Sequence, residues 1–109
     1  MVDFSRGDTA RGAKIFKSKC SSCHTINQGA PNKQGPNLFN VMNRKSGEVD
    51  GFRYTKANKE SGVVWNNDNM FKYLTNPKKF IKGTNMAFPG FKKEKDKLDI
   101  ISYLNQFKL

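Results

Sequence analysis

Cys20-Ser21-Ser22-Cys23-His24 is the stretch that organises this chain. Two thiols separated by two residues, with an imidazole directly after the second, form the C-x-x-C-H pattern of covalent heme attachment. The chemistry requires that spacing. The thiols add across two vinyl groups on adjacent edges of one porphyrin, and two intervening residues on a turn leaving a helix meet that condition. The next residue then lies under the ring, where an imidazole nitrogen can bind iron. These two cysteines and this histidine are the chain's full supply of both residue types. Zinc would need a carboxylate or a partner chain to complete a four-ligand structural site. A dithiol redox motif belongs in a strand–helix setting, which is not visible here. A disulfide across one helical turn has poor geometry and leaves His24 without a role. Heme attachment uses all three residues.

Outward from this site the pattern is helical. Upstream, a helix is predicted from about Asp8 to Lys19, with Ser5 and Asp8 offering cap oxygens. Ala10, Ala13 and Phe16, with Gly12 and Ile15 beside them, make an apolar stripe at helical spacing. Downstream, Thr25 to Asp50 reads as a long loop rich in Gly, Pro, Asn and Lys. A structureless loop of that length is unusual in a compact domain, and a large buried cofactor would organise it. Thr55 to Lys59 allows a short helix. A better one spans about Asn67 to Thr75, with Asn66 as N-cap. It presents Met70, Phe71, Tyr73 and Leu74, and Pro77 limits its extension. Pro77 to Ile81 makes a further turn, and Lys82 to Gly90 reads as loop. The last helix is predicted from about Glu94 to Phe107. Leu98, Ile101 and Leu104 fit its period, flanked by Ile100, Tyr103 and Phe107. No alternating strand is visible. The expected fold is all-α: four to five helices and long loops around one covalently bound heme.

A length of 109 residues argues for a single domain, 1–109, with a small core that needs a staple. Hydrophobic residues make up 36%, and no stretch approaches the ~20 apolar residues of a membrane-spanning helix. Met1 to Arg6 has neither an apolar signal core nor an Arg-rich transit pattern. The net charge of +11 predicts an anionic partner: nucleic acid, a lipid surface or an acidic protein face. The nucleic-acid reading is the weaker one. The lysines are dispersed, no recognition element stands out, and the Cys-Cys-His cluster would have no use.

An electron-transfer iron needs a second strong axial ligand, because an open position invites oxygen or peroxide chemistry. No second histidine exists, which leaves Met42, Met70, Met86, lysines and the chain terminus. Met70 belongs to a helical apolar stripe and reads as core. Met42, near Arg44 in the long loop, is ambiguous. Met86 lies in Gly83-Thr84-Asn85-Met86-Ala87-Phe88-Pro89-Gly90, where no core helix explains it, so ligation is the better reading. A thioether favours ferrous iron more than imidazole does, so a His/Met pair raises the reduction potential.

With these residues in view, the chain resembles mitochondrial-type class I cytochrome c over nearly its whole length. The resemblance rests on Cys20 to Thr25, Gly35-Pro36-Asn37-Leu38, Tyr54-Thr55 through Asn58-Lys59, and Trp65. It continues through Tyr73-Leu74, Asn76-Pro77-Lys78-Lys79, Gly83-Thr84 with Met86, and Tyr103-Leu104. It implies heme c on thioethers to Cys20 and Cys23, with His24 and Met86 as axial ligands. Pro36 would pack beside His24, and the carbonyl of Gly35 or Pro36 would orient its imidazole. Tyr73 would direct its hydroxyl at the Met86 sulfur, within a polar network completed by Asn58 and Thr84. Arg44, Tyr54, Thr55 and Trp65 would bind or neutralise the propionates, whose burial is costly without partners. Phe88 would cover the heme face near Met86. Gly12 and Phe16 would meet the last helix around Ile100 and Tyr103.

The same resemblance implies a respiratory one-electron carrier and not an enzyme. Peroxidase activity would be latent, emerging if Met86 left the iron on an anionic lipid surface. The implied donor and acceptor are the cytochrome bc1 complex and cytochrome c oxidase, in the mitochondrial intermembrane space. A heme-attachment lyase would act during maturation, and the carrier would work as a monomer without nucleic acid. Lys14, Lys19, Lys33, Lys78, Lys79, Lys92 and Lys93 would ring the exposed heme edge and steer it to acidic faces. Three departures stand out. Asn85 replaces a frequent lysine, Lys82 a frequent proline, and Asn32 a frequent histidine that bridges two loops.

Overall fold

A computed structural model describes residues 3–33, 36–45, 62–81 and 89–108. It opens with a 3₁₀ turn, Phe4–Arg6, in which Asp3 accepts the Ser5 N–H at 3.0 Å. Helix α1, Thr9–Ile15, follows, and its N-cap is Asp8, whose carboxylate accepts the Arg11 N–H at 3.1 Å. Ser5 therefore belongs to the earlier turn, and Asp8 alone caps α1. The helix then widens. Phe16–Cys20 form a π turn, closed where the Ser21 N–H reaches back five residues to the Phe16 carbonyl at 2.8 Å.

Helix α2, Asn67–Thr75, starts as read, with the Asn66 side chain accepting the Asn69 N–H at 2.8 Å. Helix α3, Pro77–Phe80, is a single turn capped by Asn76. Pro77 sits at its first position, where a missing N–H costs nothing. Helix α4, Glu94–Asn105, ends two residues short of Phe107, because the Gln106 and Phe107 N–H groups tighten to carbonyls three residues back. The described part of the long loop holds local structure. It contains a 3₁₀ turn, Val41–Asn43, and its residue Lys45 makes an isolated antiparallel bridge with Val64. The expected short helix from Thr55 to Lys59 lies outside the described residues. Among the described residues there is no strand ladder, and no helix is long and apolar enough to cross a membrane.

The core is built where α1 crosses α4. Leu98, Ile100, Ile101 and Leu104 are buried on α4, each contributing about 2 kcal/mol through removal from water. The contact face of α1 and the π turn that continues it is centred on Gly12 and Phe16, while Ala10 is exposed and Ala13 half-buried. Any Cβ at Gly12 would fall on the Asp99 carbonyl, so the crossing is set by the one residue without a side chain. The Phe16 and Tyr103 rings meet 5.6 Å apart beside it. The stripe expected on Ala10, Ala13 and Phe16 is thus rotated toward Gly12. Helix α2 joins this pair through Asn105 Nδ2, which donates to Asn67 Oδ1 at 3.0 Å, and through Lys97. The Lys97 ammonium donates to Thr75 Oγ1 at 3.0 Å and lies 4.3 Å from the centre of the Phe71 ring.

Candidate functional site

The π turn delivers Cys20 to the core edge, where it packs against the buried cluster. The Cys20 carbonyl then accepts two N–H groups, from Cys23 at 3.1 Å and from His24 at 2.9 Å. This tight turn holds the second thiol and the imidazole one turn beyond the first thiol, as attachment at two neighbouring porphyrin edges requires. Burial, helped by the nearby Cys23, pushes the Cys20 thiol up to about 11. Neither cysteine is in a disulfide.

His24 Nδ1 lies 2.8 Å from the Pro36 carbonyl oxygen. A carbonyl only accepts, so Nδ1 carries the proton and Nε2 keeps its lone pair. Burial holds the imidazole below its ordinary proton affinity. The Pro36 bond opposes that shift and the Arg44 charge adds to it. The ring is therefore neutral, with the tautomer that a metal needs. Pro36 makes this bond, and Gly35, the other residue expected to orient the ring, lies outside the described residues.

Arg44 and Trp65 are neighbours through their main chains. The Trp65 N–H donates to the Arg44 carbonyl at 2.8 Å, next to the Lys45–Val64 bridge. Trp65 is buried and packs edge-on to Tyr73, with ring centres 5.0 Å apart, and Phe80 completes the aromatic group. Arg44 Nη1 also donates to the Phe39 carbonyl at 2.8 Å. Met70 is buried on α2, consistent with a core residue, and the ambiguous Met42 is buried on the 41–43 turn. Tyr54, Thr55, Asn58, Thr84, Met86 and Phe88 lie outside the described residues, as do Lys82 and Asn85. At the third departure, Asn32 Oδ1 accepts the Asn37 N–H at 2.8 Å, so a carboxamide bridges the loop there. Lys14, Lys19, Lys33, Lys78, Lys79, Lys92 and Lys93 are all exposed. One of them, Lys33, also donates to the Ser21 carbonyl at 2.8 Å.

Two buried charges were not legible beforehand. Asp99 is fully buried and takes the Asp8 N–H at 2.7 Å, Arg11 Nη1 at 2.7 Å and Lys95 Nζ at 2.9 Å. Arg11 also reaches Asp96 at 2.6 Å. Lys97 is the other. The one available signal was an acid set between Leu98 and Ile100 in an apolar run.

A family model described as Cytochrome c matches residues 9–108. The chain belongs to the cytochrome c family. It is 57% identical to "Cytochrome c" of Theileria annulata over 100 residues, 92% of this chain and 86% of that one. Similar proteins of the same name occur in Stellaria longipes, at 52% over 94% of this chain and 95% of the relative, and in Cochliobolus lunatus, at 52% over 96% and 97%. As a cytochrome c, the chain is a heme electron carrier, not an enzyme, and its heme c is covalently bound. The donor set fits that group: two thiols in one turn and a neutral imidazole whose Nε2 is kept available by Pro36.

Proposed function

We propose that residues 1–109 act as one cytochrome domain that carries single electrons between the bc1 complex and cytochrome c oxidase in the mitochondrial intermembrane space. His24 and Met86 are the axial ligands in this reading. When bound, the heme supplies a reversible ferric–ferrous couple. The chain's own residues do the rest. Cys20 and Cys23 hold the group permanently, which suits a carrier that must not lose it. His24 offers Nε2 to the iron while Pro36 fixes the ring. Arg44 and Trp65 face the propionate end, with Tyr54 and Thr55. Thr84, Asn58 and Tyr73 orient the Met86 sulfur, and Phe88 shields it. The seven exposed lysines form the docking face for acidic partners.

The His24–Pro36 bond is the observation that carries this reading, because it selects the ligating tautomer before any metal arrives. Absorption spectra of the matured protein test it. The expected result is a Soret band, a sharp reduced alpha band, and the weak long-wavelength band of thioether-ligated ferric heme. Met86→Ala should abolish that last band alone and open the iron to peroxide. A Soret band without the thioether feature in the parent would remove Met86 from the ligand set. No Soret band would remove the heme.

A further inference from the structure

Asn37 follows the carbonyl that orients His24, and its side chain ties the 25–39 loop together. Its Nδ2 donates to Thr25 Oγ1 at 2.8 Å, to the Asn27 carbonyl at 2.9 Å and to the Ala30 carbonyl at 3.1 Å. An NH₂ group has two hydrogens, so at least one is shared among these acceptors. Its Oδ1 accepts the Phe39 N–H at 2.8 Å. The Leu38 N–H adds a bond to the Thr25 carbonyl at 2.7 Å. A half-buried carboxamide with this many partners has one orientation.

The backbone of the same residue points elsewhere. Its N–H donates to Asn32 Oδ1 at 2.8 Å, while the carbonyl of the same peptide, on Pro36, accepts from His24 Nδ1 at 2.8 Å. No peptide among the described residues is cis. In a trans peptide the C=O and N–H are coplanar and point in opposite directions. Holding the N–H on Asn32 therefore aims the carbonyl at His24. The two hydrogen bonds also lie in series through one polarisable amide, so each strengthens the other.

We propose that Asn32 and Asn37 are positioning residues for the axial imidazole, acting through the Pro36–Asn37 peptide to set the strength of the His24 Nδ1 hydrogen bond and hence the reduction potential. The proposal rests on the heme reading above. A stronger Nδ1–H···O=C bond makes the ring a better donor and favours ferric iron. Weakening it shifts the potential upward.

The test compares heme-loaded parent, Asn32→Leu and Asn32→Asp, with Leu104→Val as a control that loosens the core without removing any hydrogen bond of the Asn32–Asn37–Pro36–His24 chain. Two quantities are read: exchange of the His24 Nδ1 proton in the ferrous protein by NMR, and the reduction potential. Asn32→Leu should speed exchange about tenfold, the value of one hydrogen bond, and raise the potential. Asn32→Asp keeps an acceptor and should restore slow exchange. Should Asn32→Leu fail to mature, Asn37→Asp serves, since it keeps the Phe39 bond and loses all three donated bonds. Parent-like exchange and potential in both the Asn32→Leu and Asn37→Asp proteins, with an intact heme spectrum, would overturn the positioning role alone. An equal change in Leu104→Val would overturn it too. A parent chain that matures without a Soret band would overturn the heme reading and this role with it.

Discussion

Asp99 shows what one residue does when its surroundings are organised for it. Burial favours its protonated form, but Arg11, the Asp8 N–H and Lys95 outweigh that, and the carboxyl sits below its ordinary range. A group whose folded proton affinity is depressed stabilises the native state above the unfolded carboxylate's titration. That stability disappears as pH falls through the folded value. Asp99→Asn should therefore cost about 2 kcal/mol near neutrality, and the difference from the parent should shrink in acid. Denaturant titrations at about pH 7 and about pH 3 would measure both. At this scale, legibility depended on distance along the chain. Cys20, Cys23 and His24 sit within five consecutive positions, so covalent chemistry dictates their spacing and their role could be read directly. Asn37 gains its importance only when positions 25, 27, 30, 32 and 39 fold onto it. No local pattern announces that.

Among the elements, α2 was legible because apolar period and cap agreed, and α4 from its apolar period alone, since no side chain caps its start. Asn66 caps α2 as its side chain suggested. The π turn was not legible, since no residue in Phe16–Cys20 marks a five-residue bond. Nor was the exact contact face of α1, because a helix-crossing glycine reverses the usual link between bulk and burial. Gly12→Ala would place a methyl on the Asp99 carbonyl, and the helices would have to part. We expect a loss of about 2–3 kcal/mol, far more than the gain from better helix propensity. Thermal unfolding of the two proteins would show it. Gly90 is a related case between elements. Its φ of 108° and the nearby Thr75 carbonyl exclude a side chain, which lets Phe91 N–H reach the Leu74 carbonyl at 2.7 Å.

For the whole molecule, the dominant fact is a charge of +11 spread over exposed lysines. Such a field speeds encounter with an acidic partner and is screened beyond about 8 Å at physiological salt. Lys78→Glu or Lys79→Glu should slow oxidase turnover several-fold at low ionic strength, with the difference closing as salt rises. Equal low-salt rates would remove these residues from the docking face. Composition alone left the partner open between nucleic acid, lipid and protein. The choice came from the site, because charge is non-directional and the Cys-Cys-His geometry is not.

The crossing of α1 and α4 has a mechanical side as well. Asp8 and Asp99 are 91 positions apart yet in direct contact, so closing that span costs about 4 kcal/mol of chain entropy. The stretch between them is a loop fastened at its base. Tension applied at the two ends loads this base first, while the heme-bearing middle feels no pull until it parts. Stretched between two handles, the molecule should resist first at this clasp.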